Sequence, residues 1–202
     1  MKGVFIFLAD GFEETEALAT LDVLRRGKVD VQTVAIEKNW PHEEEDADFI
    51  VTGAHGVPVI ADYAFEDFEE MVEKEGTTPE DVMIFPGGLP GSEYLAKDEK
   101  VIALMKEHYA AGGTVAAICA APSLVAAQLP GLKGVKATCY DGMEANLLAA
   151  GADYVVAPAV TDGALITGRG PGYAFDFGFA ILTRVKGQKA TDLVRAGMLI
   201  GK

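Results

Sequence analysis

Three short runs in this chain are apolar at every position: Val4–Ala9, Val82–Phe85 and Val115–Ile118. A strand with one face in water alternates polar and apolar residues, whereas a strand covered on both faces reads as an unbroken apolar run. Each run stops at a turn signal: Asp10-Gly11-Phe12, Pro86-Gly87-Gly88 and Cys119-Ala120-Ala121-Pro122. Helical stretches separate them. After the first turn, Ala17, Leu18, Leu21 and Leu24 carry a helical stripe, with acids at its start, Arg25, Arg26 and Lys28 at its end, and Gly27 helping to stop it. That order of charge suits the helix dipole. Further strands are expected at 31–36, 137–140, 154–156, 160–161 and 164–167, and helices at 65–75, 99–111, 143–150, 173–185 and 189–200. Residues 49–51 and 57–61 read as a hairpin beside the main sheet, residues 37–48 as an acidic solvated loop, and 168–172 as a Gly-rich loop. Strand and helix alternate throughout, which predicts an α/β sandwich with a mostly parallel sheet and helices on both faces. With no repeat and no low-complexity linker, residues 1–202 are expected to form a single domain.

Composition narrows the partners. The formal net charge of −14 argues against nucleic acid and against anionic membrane surfaces. Two cysteines without CxxC spacing make no disulfide framework. The three histidines, at 42, 55 and 108, share no metal-ligand spacing, so no metal site is expected. His42 and His108 read as surface residues. The opening apolar run is too short for a secretory leader and no run reaches membrane-spanning length, so a cytoplasmic protein is expected.

The stretch Thr114–Leu124 reads as strand, sharp turn and helix, which places Cys119 clear of the sheet at a helix start. A helix N-terminus stabilises a thiolate and lowers a thiol's pKa. The alternative is a small buried hydrophobe, since cysteine is among the most buried residue types. Ligand sites in such sheets lie beyond the carboxyl ends of the strands. Glu13, Glu14 and Glu16 follow the first strand there, Gly87 and Gly88 another, and Cys119 a third. The glycine N–H groups, with that of Ala120, can form an oxyanion hole, or Pro86-Gly87-Gly88 is simply a tight turn. The glutamates are either surface acids complementing the helix dipole or a general acid-base beside the thiol. Glu13 and Glu16 share a helix face, and the spacing does not choose among the three. Cys139, at the end of a later strand, is a resolving thiol, a pocket wall or an ordinary buried cysteine. His55, on a Gly-flanked hairpin tip, is a candidate pocket lip.

Taken together, Val4–Glu16, Pro86-Gly87-Gly88, Ala117–Pro122, Ala137–Tyr140 and Arg169–Gly172 resemble the DJ-1/ThiJ/PfpI superfamily, its ThiJ-like, protein-deglycase branch in particular. The resemblance implies a flavodoxin-like sandwich of the class I glutamine amidotransferase type, commonly homodimeric. It implies that Cys119 is the nucleophile, oxidisable to sulfinic acid, and that Glu16 is the carboxyl that hydrogen-bonds it while protonated. Gly88 and Ala120 match the family's oxyanion donors, and Arg26 an arginine near the dimer interface and active site. Three positions depart from relatives. Ala120 stands where protease-like members carry histidine, so a peptidase would lack its general base. Cys139 stands where the deglycase has a histidine, and His55 where it has an arginine. The function implied is a cofactor-independent enzyme of glyoxalase III or deglycase type, acting on a small aldehyde or a glycated protein and converting methylglyoxal to lactate. The alternative is a redox-responsive stress protein or chaperone that senses oxidants through Cys119. A third reading, a hydrolase or amidotransferase-like enzyme, needs a distant histidine such as His55.

Overall fold

The computed structural model describes residues 3–36 and 49–201; the acidic stretch 37–48, His42 included, lies outside the described residues. In chain order the elements are β1 (Val4–Leu8), α1 (Glu14–Arg26), β2 (Val31–Ala35), β3 (Ile50–Thr52), β4 (Pro58–Ile60), β5 (Tyr63–Ala64), α2 (Phe65–Glu75), β6 (Val82–Phe85), α3 (Gly91–Lys97), α4 (Glu99–Ala110), β7 (Thr114–Ile118), α5 (Ala121–Leu124), β8 (Lys136–Ala137), α6 (Ala145–Ala149), β9 (Asp153–Tyr154), β10 (Ala159–Asp162), β11 (Leu165–Gly168), α7 (Ala174–Lys186) and α8 (Gln188–Gly197). Seven strands form the main sheet in the order β10-β11-β7-β6-β1-β2-β5. All its pairings are parallel except the edge pair β10–β11. The hairpin β3–β4 is a separate small sheet, as expected.

The unbroken apolar runs are explained by two cores. Along β1, Phe5 and Phe7 join one hydrophobic cluster with Phe68 of α2, Leu95 of α3 and Met105 of α4. Val4, Ile6 and Leu8 join the other, with Val23 and Leu24 of α1 and Phe177, Ile181 and Leu182 of α7. Alternate residues of one strand thus enter opposite layers, which is the three-layer sandwich that period-2 geometry demands when both faces are covered. Gly27 ends α1 at a point where a Cβ would overlap Leu182, so the glycine serves helix packing as well as the stop.

Several expectations are corrected. Helix α3 was not anticipated: it follows a Pro-Gly turn and buries one large apolar residue, Leu95, too little for a periodic signal. The strand expected over 137–140 stops at Ala137, so Cys139 sits in the loop beyond it. The helix expected after Cys119 is only the four residues of α5, followed by a short 3₁₀ turn at Ala126–Gln128. His108 is not a surface residue. It is 1% exposed, with Nε2 at 3.0 Å from the Asp81 carbonyl, and burial pulls its pKa down, keeping it neutral. Gly113 makes room for it, since a Cβ there would enter its ring. Among the described residues no helix is long and apolar enough to cross a membrane.

Phe68 fastens α2 to the sheet, with ring centroids 4.9 Å from Phe5 and 5.2 Å from Phe7, both edge-on. Phe68→Ala is expected to destabilise the fold by about 3–5 kcal/mol, read as a lowered denaturant midpoint at unchanged slope.

Candidate active site

The site is assembled from backbone outward. After β1 the chain turns at Gly11, and Glu13 becomes the N-cap of α1, its Oε2 accepting the Glu16 N–H at 2.7 Å. This places Glu16 in the first helical turn facing inward, where it has no solvent exposure. The three glutamates are therefore not surface acids: Glu13 and Glu14 are each only 8% exposed. Gly87, just past β6, is held from both sides. Its carbonyl accepts the Glu13 N–H at 2.9 Å, and its own N–H donates to Glu16 Oε2 at 2.8 Å.

No other residue fits at position 87. A Cβ there would lie 2.5 Å from both Glu16 Oε2 and Cys119 Cβ, and 3.0 Å from Cys119 Sγ. The missing side chain is what lets the thiol and the carboxyl meet. Gly88 follows in the left-handed region at φ 90°, aiming its N–H at the Cys119 sulfur.

Cys119 comes directly after β7 with φ 65°, a conformation that carries roughly 1–3 kcal/mol of strain in a residue with a Cβ. Strand β11 on one side and the loop after β8 on the other hold it there. Its N–H donates to the Gly168 carbonyl at 3.0 Å, and its carbonyl accepts the Tyr140 N–H at 2.9 Å. The side chain is hydrogen-bonded to Glu16 and receives the N–H groups of Gly88 and Ala120 at sulfur.

Burial, and next the facing Glu16 carboxylate, push the Cys119 thiol up to about 12, against the pull of the two N–H donors. This reverses the lowered thiol pKa expected from a helix start. A four-residue helix supplies little dipole, and desolvation outweighs it. Burial likewise pushes Glu16 up to about 7, against the hydrogen bonds of Cys119 and Gly87. The pair thus gives up one proton near 7 and the next near 12, and between those limits it shares a single proton. Glu16 Oε1 is fully buried and accepts no hydrogen bond of good geometry, which suits an oxygen that carries the proton itself.

The other candidates lie at different distances from this centre. His55 is exposed, and its ring Nδ1 and backbone N–H meet the two oxygens of Glu14 at 2.8 and 2.7 Å. Burial opposes ionisation of Glu14, but the His55 ring and the N–H groups of Glu14, His55 and Val57 outweigh it and hold the carboxyl below its usual range. Glu13, Glu14 and His55 each bring one ligand atom within 4.8 Å of the others, and their atoms are engaged in the cap and hairpin contacts just described. Arg26 lies at the far end of α1, ten residues and so about 15 Å along the axis from Glu16, paired with Asp22 at 2.7 Å. Within this chain it does not reach the thiol. Cys139 has no solvent exposure, donates to the Tyr140 carbonyl at 3.4 Å and is unpaired, as is Cys119. Burial pushes its pKa up to about 11.

The sequence reading quoted Tyr140 and Arg169–Gly172 only as motifs of the resemblance and gave Asp141 and Tyr173 no place in the site. Residues 140, 141 and 169–173 line a cavity of about 460 Å³ in which Arg169 and Asp141 are joined; Cys119 is not one of its lining residues but is tied to it through the Tyr140 N–H on its carbonyl. The signal was the Gly-rich loop at 168–172. It needed the adjacency of β11 and β7, where Gly168 pairs with Ile118, to become a site.

The raised Glu16 pKa fixes the sign of a pH effect. The folded state binds a proton that the unfolded chain, with the ordinary glutamate value of 4.5, releases earlier. Stability attributable to Glu16 is therefore fully present below about 4.5 and is lost as pH rises through about 7. The stability of the native chain minus that of Glu16→Gln is expected to fall by roughly 3 kcal/mol between pH 4 and pH 8, measured by urea denaturation.

The model of the DJ-1/PfpI family matches residues 2–184. Protein DJ-1 homolog A of Arabidopsis thaliana is 32% identical over 98% of this chain and 47% of its own length, so the chain spans about half of that relative. Parkinson disease protein 7 homolog of Danio rerio is 30% identical over 98% of this chain and 97% of its own. Glutathione-independent glyoxalase DJR-1.2 of Caenorhabditis elegans is 29% identical over 94% and 91%. Among solved structures, a cysteine-to-alanine mutant of a DJ-1 superfamily protein from Salmonella typhimurium superposes with TM-score 0.83 at 32% identity, over all of both chains. Drosophila melanogaster DJ-1beta gives TM-score 0.83 at 30% identity, over 100% and 99%. With the sheet order, the strained cysteine and its buried glutamate in place, these matches establish that the chain belongs to the DJ-1/PfpI family.

Proposed function

We propose that this chain is a cofactor-independent cysteine enzyme of glyoxalase type, acting on α-oxoaldehydes such as methylglyoxal and, by the same chemistry, on early glycation adducts. The observation that carries the reading is the buried Glu16 carboxyl set against the Cys119 thiol, with two N–H groups on the sulfur. The shared proton moves from sulfur to Glu16, leaving a thiolate held by Gly88 and Ala120. That sulfur bonds to the aldehyde carbon, the carbonyl electron pair moves to oxygen, and Glu16 returns its proton there to give a hemithioacetal. Glu16, now ionised, takes the C1 proton to form an enediolate and delivers it to C2. The C1 hydroxyl proton passes to the C2 oxygen, and a thioester of lactate results. Water then cleaves the thioester, releasing lactate and restoring the thiol. The aldehyde carbon is oxidised and the ketone carbon reduced within one molecule, so the balance needs no external electron carrier.

Support comes from what stands beside the thiol. Its base is a carboxyl, and the next residue, Ala120, offers no imidazole, which disfavours peptidase chemistry. The nematode relative named as a glutathione-independent glyoxalase points the same way. Lactate formation from methylglyoxal tests the proposal. Cys119→Ala is expected to abolish it, and Glu16→Gln to lower kcat/KM by roughly a hundredfold or more. In the native chain kcat/KM rises with pH and levels off above about 7, where the pair loses its first proton. Activity indifferent to both substitutions would sink the reading.

A second reading rests on the same donors. Two N–H groups at the sulfur and the otherwise unpartnered Glu16 Oε1 suit a sulfinate. Hydrogen peroxide oxidises the thiolate first to sulfenate and then to sulfinate, releasing one water per oxygen transferred. Intact mass after mild peroxide treatment is expected to show a two-oxygen adduct at Cys119 and none at the unexposed Cys139. Oxidation of both thiols alike would argue against a sensor.

A further inference from the structure

The cavity lined by Tyr140, Asp141 and the 169–173 loop is tied to Cys119 through the backbone and carries a guanidinium whose partner is plain. Both cavity walls are tied to the cysteine peptide, one through Tyr140 and the other through Gly168, the residue before Arg169. Arg169 donates from Nε to Asp141 Oδ1 at 2.7 Å and from Nη2 to Oδ2 at 2.6 Å. This is a two-point fork, the geometry in which arginine recognises a carboxylate or phosphate. Here the chain's own carboxylate fills it. The Tyr173 ring lies 5.8 Å from the guanidinium carbon and steadies its plane. Each partner holds the other ionised: Arg169 keeps the Asp141 carboxyl below its usual range, and Asp141 raises Arg169 further. The pair sums to zero charge in a chain whose net charge is −14.

We propose that Asp141 is a specificity-determining residue: by occupying the Arg169 fork, in the cavity whose Tyr140 wall is bonded to the Cys119 peptide, it makes the approach to the thiol take uncharged α-oxoaldehydes and reject those bearing a carboxylate or phosphate. The proposal rests on the aldehyde reading above. An anionic substrate has to displace Asp141 from the fork and then lie beside the displaced carboxylate, so it meets repulsion where it needs a cation. A neutral substrate makes no such demand. Asp141 is well exposed, with 63% of its side chain accessible, so Asp141→Asn keeps the shape, removes the charge and leaves the guanidinium without its counter-charge and its two-point partner.

Two readouts keep this proposal separable from the catalytic one. The first is calorimetric binding of inorganic phosphate in the Cys119→Ala background, which needs no turnover. Adding Asp141→Asn is expected to tighten phosphate binding by about tenfold, the scale of one charge-assisted contact, and Asp141→Ser to do the same. Adding Arg169→Gln to Asp141→Asn is expected to remove the gain. The second is the ratio of kcat/KM for dioxovalerate, a carboxylate-bearing α-oxoaldehyde, to that for methylglyoxal. Asp141→Asn is expected to raise the ratio by about tenfold. Phosphate binding equal in the parent and Asp141→Asn, or a gain that survives Arg169→Gln, overturns the proposal. If the native chain consumes no aldehyde while the phosphate series follows the expected order, the aldehyde reading falls and the charge mask stands.

Discussion

A carboxyl group with no access to water dictates most of its surroundings. Glu16 is fully buried, and an ionised carboxylate there needs several donors. It has one good one, the Gly87 N–H at 2.8 Å, while Oε1 accepts no well-formed hydrogen bond. The deficit is met by a proton, and the Cys119 thiol is the group that can exchange it. The rest of the site follows from keeping these two in contact: a cap from Glu13 to fix the helix start, a glycine where any side chain would separate them, and a cysteine bent into a left-handed conformation to reach inward.

The sheet order explains how distant segments serve one thiol. Strands β11, β7, β6 and β1 are consecutive neighbours, and each contributes at its carboxyl end. In order they supply Arg169, Cys119, the Gly87-Gly88 turn and the Glu13–Glu16 helix start. Parallel pairing puts all four ends at one edge of the sheet, so loops far apart in sequence meet without a long excursion. Strain at Cys119 persists because it is bonded on two sides, to Gly168 and to the cavity-lining Tyr140. The cavity wall and the Cys119 peptide are thus joined by backbone hydrogen bonds.

What could be read from the chain beforehand was whatever depends on local pattern. The runs around Val4, Val82 and Val115 revealed strands covered on both faces, and the strand and helix limits at Val82–Phe85 and Phe65–Glu75 coincide with the structure. The convergence of Glu16, Gly87, Gly88 and Cys119 was visible because each follows such a strand. Burial and electrostatic balance were not visible. Glu13 and Glu14 look like dipole-complementing surface acids until the hairpin β3–β4 covers them and His55 takes up Glu14. His108 ends a polar helix, and only the packing of Gly113 and Asp81 makes it a core residue. Arg26 shared a motif with relatives but lies at the wrong end of α1 for this chain's own thiol. The helix-start argument for a lowered thiol pKa failed because α5 is one turn long and desolvation acts on the whole side chain. Asp141 has no sequence signature at all, since its partner lies 28 residues away.

The same proton governs both reactivity and stability, and in opposite senses. Below about 7 the pair holds two protons, the carboxyl is neutral, and burying it costs little. No thiolate can form in that state without expelling a proton to water. Once the pair loses its first proton, a charge is locked in a site with few donors, and transfer between sulfur and oxygen becomes an internal step. The thiolate is therefore available only in the state the fold holds less well. Gly88 and Ala120 limit that loss because their N–H groups point at sulfur, so they stabilise the charge most when it resides on the thiolate. A better-solvated Glu16 would relieve the fold and strand the negative charge on oxygen, away from the sulfur. The destabilised carboxyl is thus the means by which the charge is delivered to Cys119.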